Sequence, residues 1–249
     1  MYEDIFNQIR DVRPESLPKQ EPKYECSKCK DSGWLEYTDE KGYLYSKRCD
    51  CWAVRESRRM IQNSGISEEF RRMRFSSFDT RNSEILTRAK KTAMKYVQSF
   101  PEQEHSRNNS ILFCGQVGAG KTHLGISICN SLLATGVAIT YMPYRNAVTK
   151  MKQNITDEQG YSRELERYSK ARVLYIDDLL KGRVTESDTN ILYELINHRY
   201  MNSLPLVIST ELMTEQLLAF DEAIGSRIIE MCRGNIIQLL GKELNYRLR

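Results

Sequence analysis

The 249-residue chain has no apolar run approaching the ~18 residues that a membrane span needs, so no membrane partner is expected. Its first residues, Met1-Tyr2-Glu3-Asp4, are acidic and lead into no apolar stretch. That leaves no secretory signal and points to a cytoplasmic protein. Neither sign of charge dominates: 37 Lys and Arg stand against 33 Asp and Glu. A net charge of +4 permits nucleic acid as a partner without demanding one. Histidine is scarce, and His105, His123 and His198 lack metal-ligand spacing. There is no internal repeat and no low-complexity tract. Apolar residues make up 40% of the chain, enough for a packed core and too many for wholesale disorder.

Proline is sparse, and three of the six (Pro14, Pro18, Pro22) fall near the N-terminus. Proline lacks an N–H and fixes φ, so this region reads as a short helix, Tyr2–Val12, followed by an extended linker. Residues 24–52 are rich in Cys, Tyr, Gly and charge and read as a small metal-held module. Residues 52–64 and 67–74 read as basic helices. From Phe78 onward, helix-length segments alternate with short Val/Ile/Leu-rich strands at Ile111–Cys114, Val137–Met142, Arg172–Ile176, Pro205–Ser209 and Ile236–Leu240. That alternation predicts an α/β fold, a parallel sheet flanked by helices on both faces. The expected organisation is a helix and linker over 1–22, a small metal-held module over 23–63, and an α/β domain over 64–249.

Gly115-Gln116-Val117-Gly118-Ala119-Gly120-Lys121-Thr122 fits G-x-x-x-x-G-K-[ST]. An apolar strand leads in and an apolar helix, Lys121–Leu133, leads out, which is the setting a phosphate-binding P-loop requires. Such a loop curls its backbone N–H groups around phosphate oxygens at a helix N-terminus. Lys121 is expected to reach the β- and γ-phosphates of ATP, and Thr122 to offer its hydroxyl to Mg²⁺. His123 follows and is expected to line the site. Val173-Leu174-Tyr175-Ile176-Asp177-Asp178 is an apolar strand ending in two carboxylates, at the edge where open α/β sheets bind ligands. Asp177 is expected to hold Mg²⁺ and Asp178 to activate the attacking water. Because Asp is a methylene shorter than Glu, slow hydrolysis is expected. Leu206-Val207-Ile208-Ser209-Thr210 ends in two hydroxyls, of which Ser209 is favoured as the group nearest the γ-phosphate. Arg227 follows Gly225-Ser226 in a helical stretch. It is either a finger reaching a neighbouring subunit's site or a surface residue paired with Glu222 or Glu230. Phe75 and Phe78 stand where a linker would stack on adenine.

The cysteines are odd in number, seven. Cys26-x2-Cys29 and Cys49-x-Cys51 form two tight pairs, while Cys114, Cys129 and Cys232 lie in apolar segments and read as core. Without an export signal the pairs suggest metal ligation rather than disulfides. Four thiolates suit a closed, structural tetrahedral Zn²⁺ site, with Gly33 and Gly42 at the turns of a hairpin between the knuckles. Trp34, Tyr37, Tyr43, Tyr45 and Trp52 are either an exposed interface or the module's own small core. Residues 41–74 hold nine Lys/Arg against four Asp/Glu, most simply a solvated helix face.

These residues resemble the DnaC/IstB-like branch of the P-loop AAA+ (ASCE-type) ATPases, which includes bacterial and phage replicative helicase loaders. The resemblance is carried by Ser64-Gly65-Ile66-Ser67-Glu68-Glu69-Phe70, the P-loop, Ile176-Asp177-Asp178, Ile208-Ser209-Thr210-Glu211-Leu212, Gly225-Ser226-Arg227-Ile228 and Gly241-Lys242-Glu243-Leu244-Asn245-Tyr246-Arg247. It implies that Arg227 is an arginine finger acting through self-association. It also implies that Ser209 is the sensor closing the fourth core strand, although many members carry Asn there. A full helical lid is expected to be missing after the last strand. The partners implied are a replicative DnaB-type helicase, gripped by the N-terminal region, and single-stranded DNA, faced by Arg145, Lys150 and Lys152 on an extra helix between Tyr144 and Lys170. Three other readings remain: an IstB-like transposase helper, a zinc-containing adaptor merely stiffened by nucleotide, and a small-molecule kinase.

Overall fold

The computed structural model describes residues 24–62, 68, 72–81 and 83–248. The expected Tyr2–Val12 helix, the proline-containing linker and most of the 64–70 motif lie outside them. The chain forms two compact units divided between Cys49 and Asp50.

The first unit is an antiparallel hairpin of β1 (Trp34–Thr38) and β2 (Leu44–Arg48), with Tyr37 opposite Tyr45. Its loop is organised by Asp39. Oδ1 accepts the backbone N–H groups of Lys41 and Tyr43, each at 2.9 Å, and Oδ2 accepts the Tyr45 hydroxyl at 3.0 Å. These donors, the Tyr43 N–H foremost, hold the Asp39 carboxyl below its ordinary value. Gly42 takes a left-handed φ of 85° at the turn. Trp34, Tyr37, Tyr43 and Tyr45 are all exposed, so the aromatics do not form a core for the hairpin.

The second unit begins with α1 (Cys51–Gln62). The boundary expected near residue 63 therefore falls earlier. The reason is a specific contact: Ser57 Oγ accepts the Ile139 N–H at 3.0 Å, tying α1 to the central sheet. Residues 73–74, expected to be helical, are not; a short 3-10 turn follows at Phe75–Ser77. Then come α2 (Glu84–Gln103), β3 (Ile111–Gly115), α3 (Lys121–Ala134), β4 (Ile139–Pro143), α4 (Tyr144–Gln153) and α5 (Glu158–Ser169). They are followed by β5 (Val173–Leu179), α6 (Glu186–Met201), β6 (Leu206–Thr210), α7 (Thr214–Phe220), α8 (Glu222–Met231) and β7 (Ile236–Leu239). The segment expected to hold one extra helix holds two, α4 and α5.

The five strands are parallel, in the order β4-β5-β6-β3-β7. Alternate side chains feed two apolar layers. Ile111, Phe113, Val173 and Tyr175 face the layer containing α2 and α3, while Leu112, Cys114, Leu174 and Ile176 face the layer containing α4, α6 and α8. Two-sided burial is why these strands read as continuous apolar runs. The same period of two sets the site, because Asp177 follows Tyr175 by two and points to the α3 side. Cys114, Cys129 and Cys232 are core residues, and burial pushes the Cys114 thiol up to about 11. Among the described residues no helix is long and apolar enough to cross a membrane.

Candidate nucleotide site and cysteine cluster

The loop between β3 and α3 is shaped by left-handed glycines. Gly118 and Gly120 have φ of 74° and 87°. A Cβ on Gly120 would lie 2.7 Å from the Phe78 ring, and one on Gly118 would strike the Asn245 side chain. Only glycine fits at both positions. The Lys121 ammonium is buried against this loop and donates to the Gly115 and Gln116 carbonyls at 2.7 and 2.6 Å. Burial lowers its pKa.

Asp177 is the hub of the site. Its Oδ1 accepts the hydroxyls of Thr122 (3.0 Å), Tyr175 (2.7 Å) and Ser209 (2.5 Å), and its Oδ2 accepts that of Tyr141 (2.9 Å). Gly125 on α3 makes room for the Tyr175 ring, since a Cβ there would lie 2.5 Å from it. Burial, reinforced by the Asp177 charge, raises both tyrosine hydroxyls, which stay protonated as donors. The first turn of α3 and the ends of β5 and β6 thus meet at one carboxylate. Ser209 Oγ also accepts the Asp178 N–H at 2.9 Å. Its neighbour Thr210 is committed to backbone, donating to the Leu179 carbonyl at 2.8 Å.

Asp178 sits in the left-handed region, φ 55°. Its Oδ2 accepts from Lys181 at 2.9 Å, and Lys181 also pairs with Glu211 at 3.0 Å. The bond to Asp178 is the main reason the Lys181 pKa is raised. Sequence reasoning missed Lys181. Its only signal was a three-residue offset from Asp178, which the turn at Asp178–Lys181 converts into a contact. Of these groups Gly118, Gly120, Lys121, Thr122, Asp178, Lys181 and Glu211 line one cavity of about 550 Å³, with Val117, Ala119, His123, Phe78, Arg81, Tyr246 and Arg247, whereas Asp177, Ser209 and the two tyrosines are buried and do not line it. His123 meets Phe78 edge-on at 5.2 Å. Phe75 packs against the apolar layer and does not line the cavity.

Arg227 lies on α8 but is only partly exposed, and it pairs with neither Glu222 nor Glu230. It donates to the Ala223 carbonyl at 2.7 Å and stacks on Tyr193 and Tyr200, at 5.5 and 5.4 Å from the ring centroids. Glu230 is occupied by the Tyr200 hydroxyl (2.8 Å) and Arg107 (3.3 Å). The cations expected to face DNA are also engaged. Arg145 donates to the Arg183 carbonyl at 2.7 Å, Lys150 pairs with Glu164 at 2.5 Å, and Lys152 pairs with Asp188 at 2.8 Å.

Cys26, Cys29, Cys49 and Cys51 bring their Sγ atoms within 4.8 Å of one another. Four Zn–S bonds of about 2.3 Å in a tetrahedron put sulfurs about 3.8 Å apart. The Cys26–Cys49 Sγ separation is 3.8 Å. Gly33 N–H donates to Cys29 Sγ at 3.4 Å, the kind of support a thiolate ligand uses. The donor set therefore fits a closed zinc site that leaves no position for water. A metal-bound protein treated with a strong chelator is predicted to lose amide-exchange protection across Trp34–Arg48 and to keep it across β3, β5 and β6. Unchanged protection of the hairpin after metal removal would contradict a structural zinc.

The profile of the IstB-like ATP-binding proteins matches residues 30–239. The phage-like element PBSX protein XkdC of Bacillus subtilis (strain 168) is 34% identical over 235 residues, 91% of this chain and 87% of that one. The replicative helicase loader DnaC of Escherichia coli (strain K12) is 24% identical over 220 residues, 86% of each chain. Among solved structures, that of DnaI superposes with a TM-score of 0.57 at 22% identity, covering 71% of this chain and 93% of that one.

Proposed function

The chain belongs to the IstB-like ATP-binding proteins, and on that footing we propose that it is a cytoplasmic ATPase that loads a replicative ring helicase onto single-stranded DNA. The observation that carries the nucleotide part is the Thr122–Asp177 hydrogen bond, which joins the P-loop helix to the end of β5. On this reading, Lys121 moves from the Gly115 and Gln116 carbonyls to the β- and γ-phosphates. Thr122 and Asp177 are the residues that would hold Mg²⁺, which would supply positive charge to the phosphate oxygens. Asp178 orients the attacking water and takes its proton, and Lys181 restrains that carboxylate until then. Ser209 links the Asp177 carboxylate to the Asp178 backbone, so a change at the γ-phosphate is felt on β6. Hydrolysis is slow, as suits a switch.

Self-association would bring Arg227 of one copy to another copy's triphosphate, leaving its Tyr193 and Tyr200 stacks. Arg227→Ala is predicted to lower the association-dependent part of hydrolysis on the order of a hundredfold or more, with ATP affinity nearly unchanged. Steady-state hydrolysis against protein concentration, alongside a nucleotide titration, checks this. Undiminished turnover would remove Arg227 from catalysis and favour the nucleotide-stiffened adaptor.

The loader is preferred to a transposase helper because the four-cysteine hairpin supplies an N-terminal surface rich in exposed Trp and Tyr, residues that anchor protein interfaces. Affinity capture from extract with the full chain and ATP should recover a replicative helicase. Capture should fail with Cys49→Ser. A transposase in place of the helicase would reverse the assignment. DNA contact by Arg145, Lys150 and Lys152 requires Lys150 and Lys152 to leave their carboxylates. Binding to single strands that is insensitive to salt would rule those phosphate contacts out.

A further inference from the structure

The end of β5 is strained. Its pairing with β6 shifts register between Ile176 and Leu179, and within that irregularity Asp178 takes a left-handed φ of 55°. Leu180, just beyond, takes 59°. Neither residue has a glycine's freedom, so the surroundings must impose both conformations. β6 supplies the constraint. Ser209 Oγ accepts the Asp178 N–H at 2.9 Å, and Thr210 Oγ1 donates to the Leu179 carbonyl at 2.8 Å. The Leu179 and Leu180 side chains are buried in the apolar layer that holds α4, α6 and α8. The Lys181 N–H closes the turn on the Asp178 carbonyl at 3.1 Å. This turn brings the Lys181 ammonium back to Asp178 Oδ2 at 2.9 Å and to Glu211 Oε1, beyond the end of β6, at 3.0 Å. All three side chains line the same cavity as Lys121.

We propose that Lys181 is a specificity-determining residue of this cavity: its ammonium leaves Asp178 and Glu211 for the terminal phosphate of a nucleoside triphosphate, so that the site prefers a triphosphate to a diphosphate. This rests on the nucleotide reading above. On that reading the P-loop and Lys121 hold the inner phosphates, which both ligands share, and the terminal phosphate faces the ends of β5 and β6. Two carboxylates stand there, and they repel a further anion unless a cation stands among them. Among the described residues Lys181 is the cation that pairs with both. Its side chain is 43% exposed, so the ammonium swings on its flexible stem without disturbing the core. Exposed ion pairs of this kind are weak, and a phosphate oxygen offers the ammonium an equivalent partner. The exchange also leaves the Asp178 carboxylate unpaired only while a terminal phosphate is present. A diphosphate ends short of Lys181, and the carboxylates keep it. The strained turn thus has a use, since a relaxed exit from β5 would carry Lys181 onward with the chain instead of back over the cavity.

Isothermal titration of the full chain with ADP and, separately, with the non-hydrolysable triphosphate AMP-PNP, both in Mg²⁺, tests this. The unsubstituted chain should bind AMP-PNP more tightly than ADP. Lys181→Met keeps the apolar stem and removes the charge. It should weaken AMP-PNP by roughly tenfold or more and leave ADP within about twofold. Lys181→Arg, which keeps the charge, should recover part of the AMP-PNP affinity. Retained ADP binding also reports that each substituted chain is folded. An AMP-PNP affinity unchanged by Lys181→Met would overturn the proposal and leave Lys181 as a restraint on Asp178 alone. Equal loss of both ligands would overturn it too, since a cation acting at the terminal phosphate spares the diphosphate. In either case binding by the unsubstituted chain leaves the nucleotide reading standing. If the unsubstituted chain binds neither ligand, that reading falls as well.

Discussion

Replacing Asp177 with Asn should reduce ATP turnover by at least about a thousandfold while leaving the protein folded. The carboxylate accepts four hydroxyls, from Thr122, Tyr141, Tyr175 and Ser209. An amide keeps the shape but presents an NH₂ where one of these oxygens must be an acceptor, and it removes the negative charge that a divalent cation needs. Asp177→Ala is expected to do more, leaving four hydroxyls short of an acceptor in a largely dry site and lowering stability as well. Asp178→Asn separates the roles. It should lower turnover by roughly a hundredfold through loss of the proton acceptor, with Mg²⁺-dependent ATP binding retained. Single-turnover hydrolysis, measured alongside nucleotide titrations with and without Mg²⁺, distinguishes the variants. An Asp177→Asn protein that hydrolyses ATP at the parent rate would break the assignment.

The second large effect is on stability and involves a residue remote from the nucleotide cavity. Arg199, on α6, is fully buried and pairs with no carboxylate among the described residues. Its guanidinium donates to the carbonyls of Tyr168, Ser169, Ala171 and Pro205, at 2.9, 3.2, 2.8 and 2.6 Å. Burial lowers its pKa to about 9, so it remains a cation at neutral pH. The four carbonyls belong to the end of α5, the turn into β5 and the entry to β6. One side chain therefore pins the starts of the two strands whose far ends carry Asp177 and Ser209. Arg199→Leu should cost about 3–5 kcal/mol, because four buried carbonyls lose their donor at once. For a domain of this size that corresponds to a fall in Tm of roughly ten degrees. Arg199→Lys should recover only part of it, since one ammonium cannot span four carbonyls in a planar fork. A Tm within about two degrees of the parent for Arg199→Leu would show that the carbonyls find other donors.

Much of this architecture was readable from the chain because its strongest signals are local. Buried parallel strands are unbroken apolar runs, so all five strands fall within a few residues of their expected positions. The P-loop announces itself by glycines whose left-handed φ no other residue tolerates well. Asp177 was legible because it ends such a strand. What was not legible depends on partners far apart in sequence. Tyr141 and Tyr175 look like ordinary strand residues until β4 and β5 are set in register, Tyr141 opposite Tyr175, with both hydroxyls reaching Asp177. Arg227 reads as a surface cation, yet two aromatic rings 7 residues apart on α6, Tyr193 and Tyr200, hold it. Arg199 gives no signal at all, because its acceptors are backbone. The pairing of Lys150 and Lys152 with Glu164 and Asp188 likewise depends on how α4, α5 and α6 pack.

The most direct test of the whole account is a calorimetric titration of the full chain with ATP, in Mg²⁺ and in EDTA, repeated with Lys121→Ala and Asp177→Asn. Lys121, Thr122 and Asp177 acting on one ligand predicts saturable 1:1 binding that tightens with Mg²⁺ in the parent chain. Lys121→Ala should bind weakly in either condition, and Asp177→Asn should lose only the Mg²⁺ increment. Binding that ignores Lys121, or no binding by the parent chain, would contradict it.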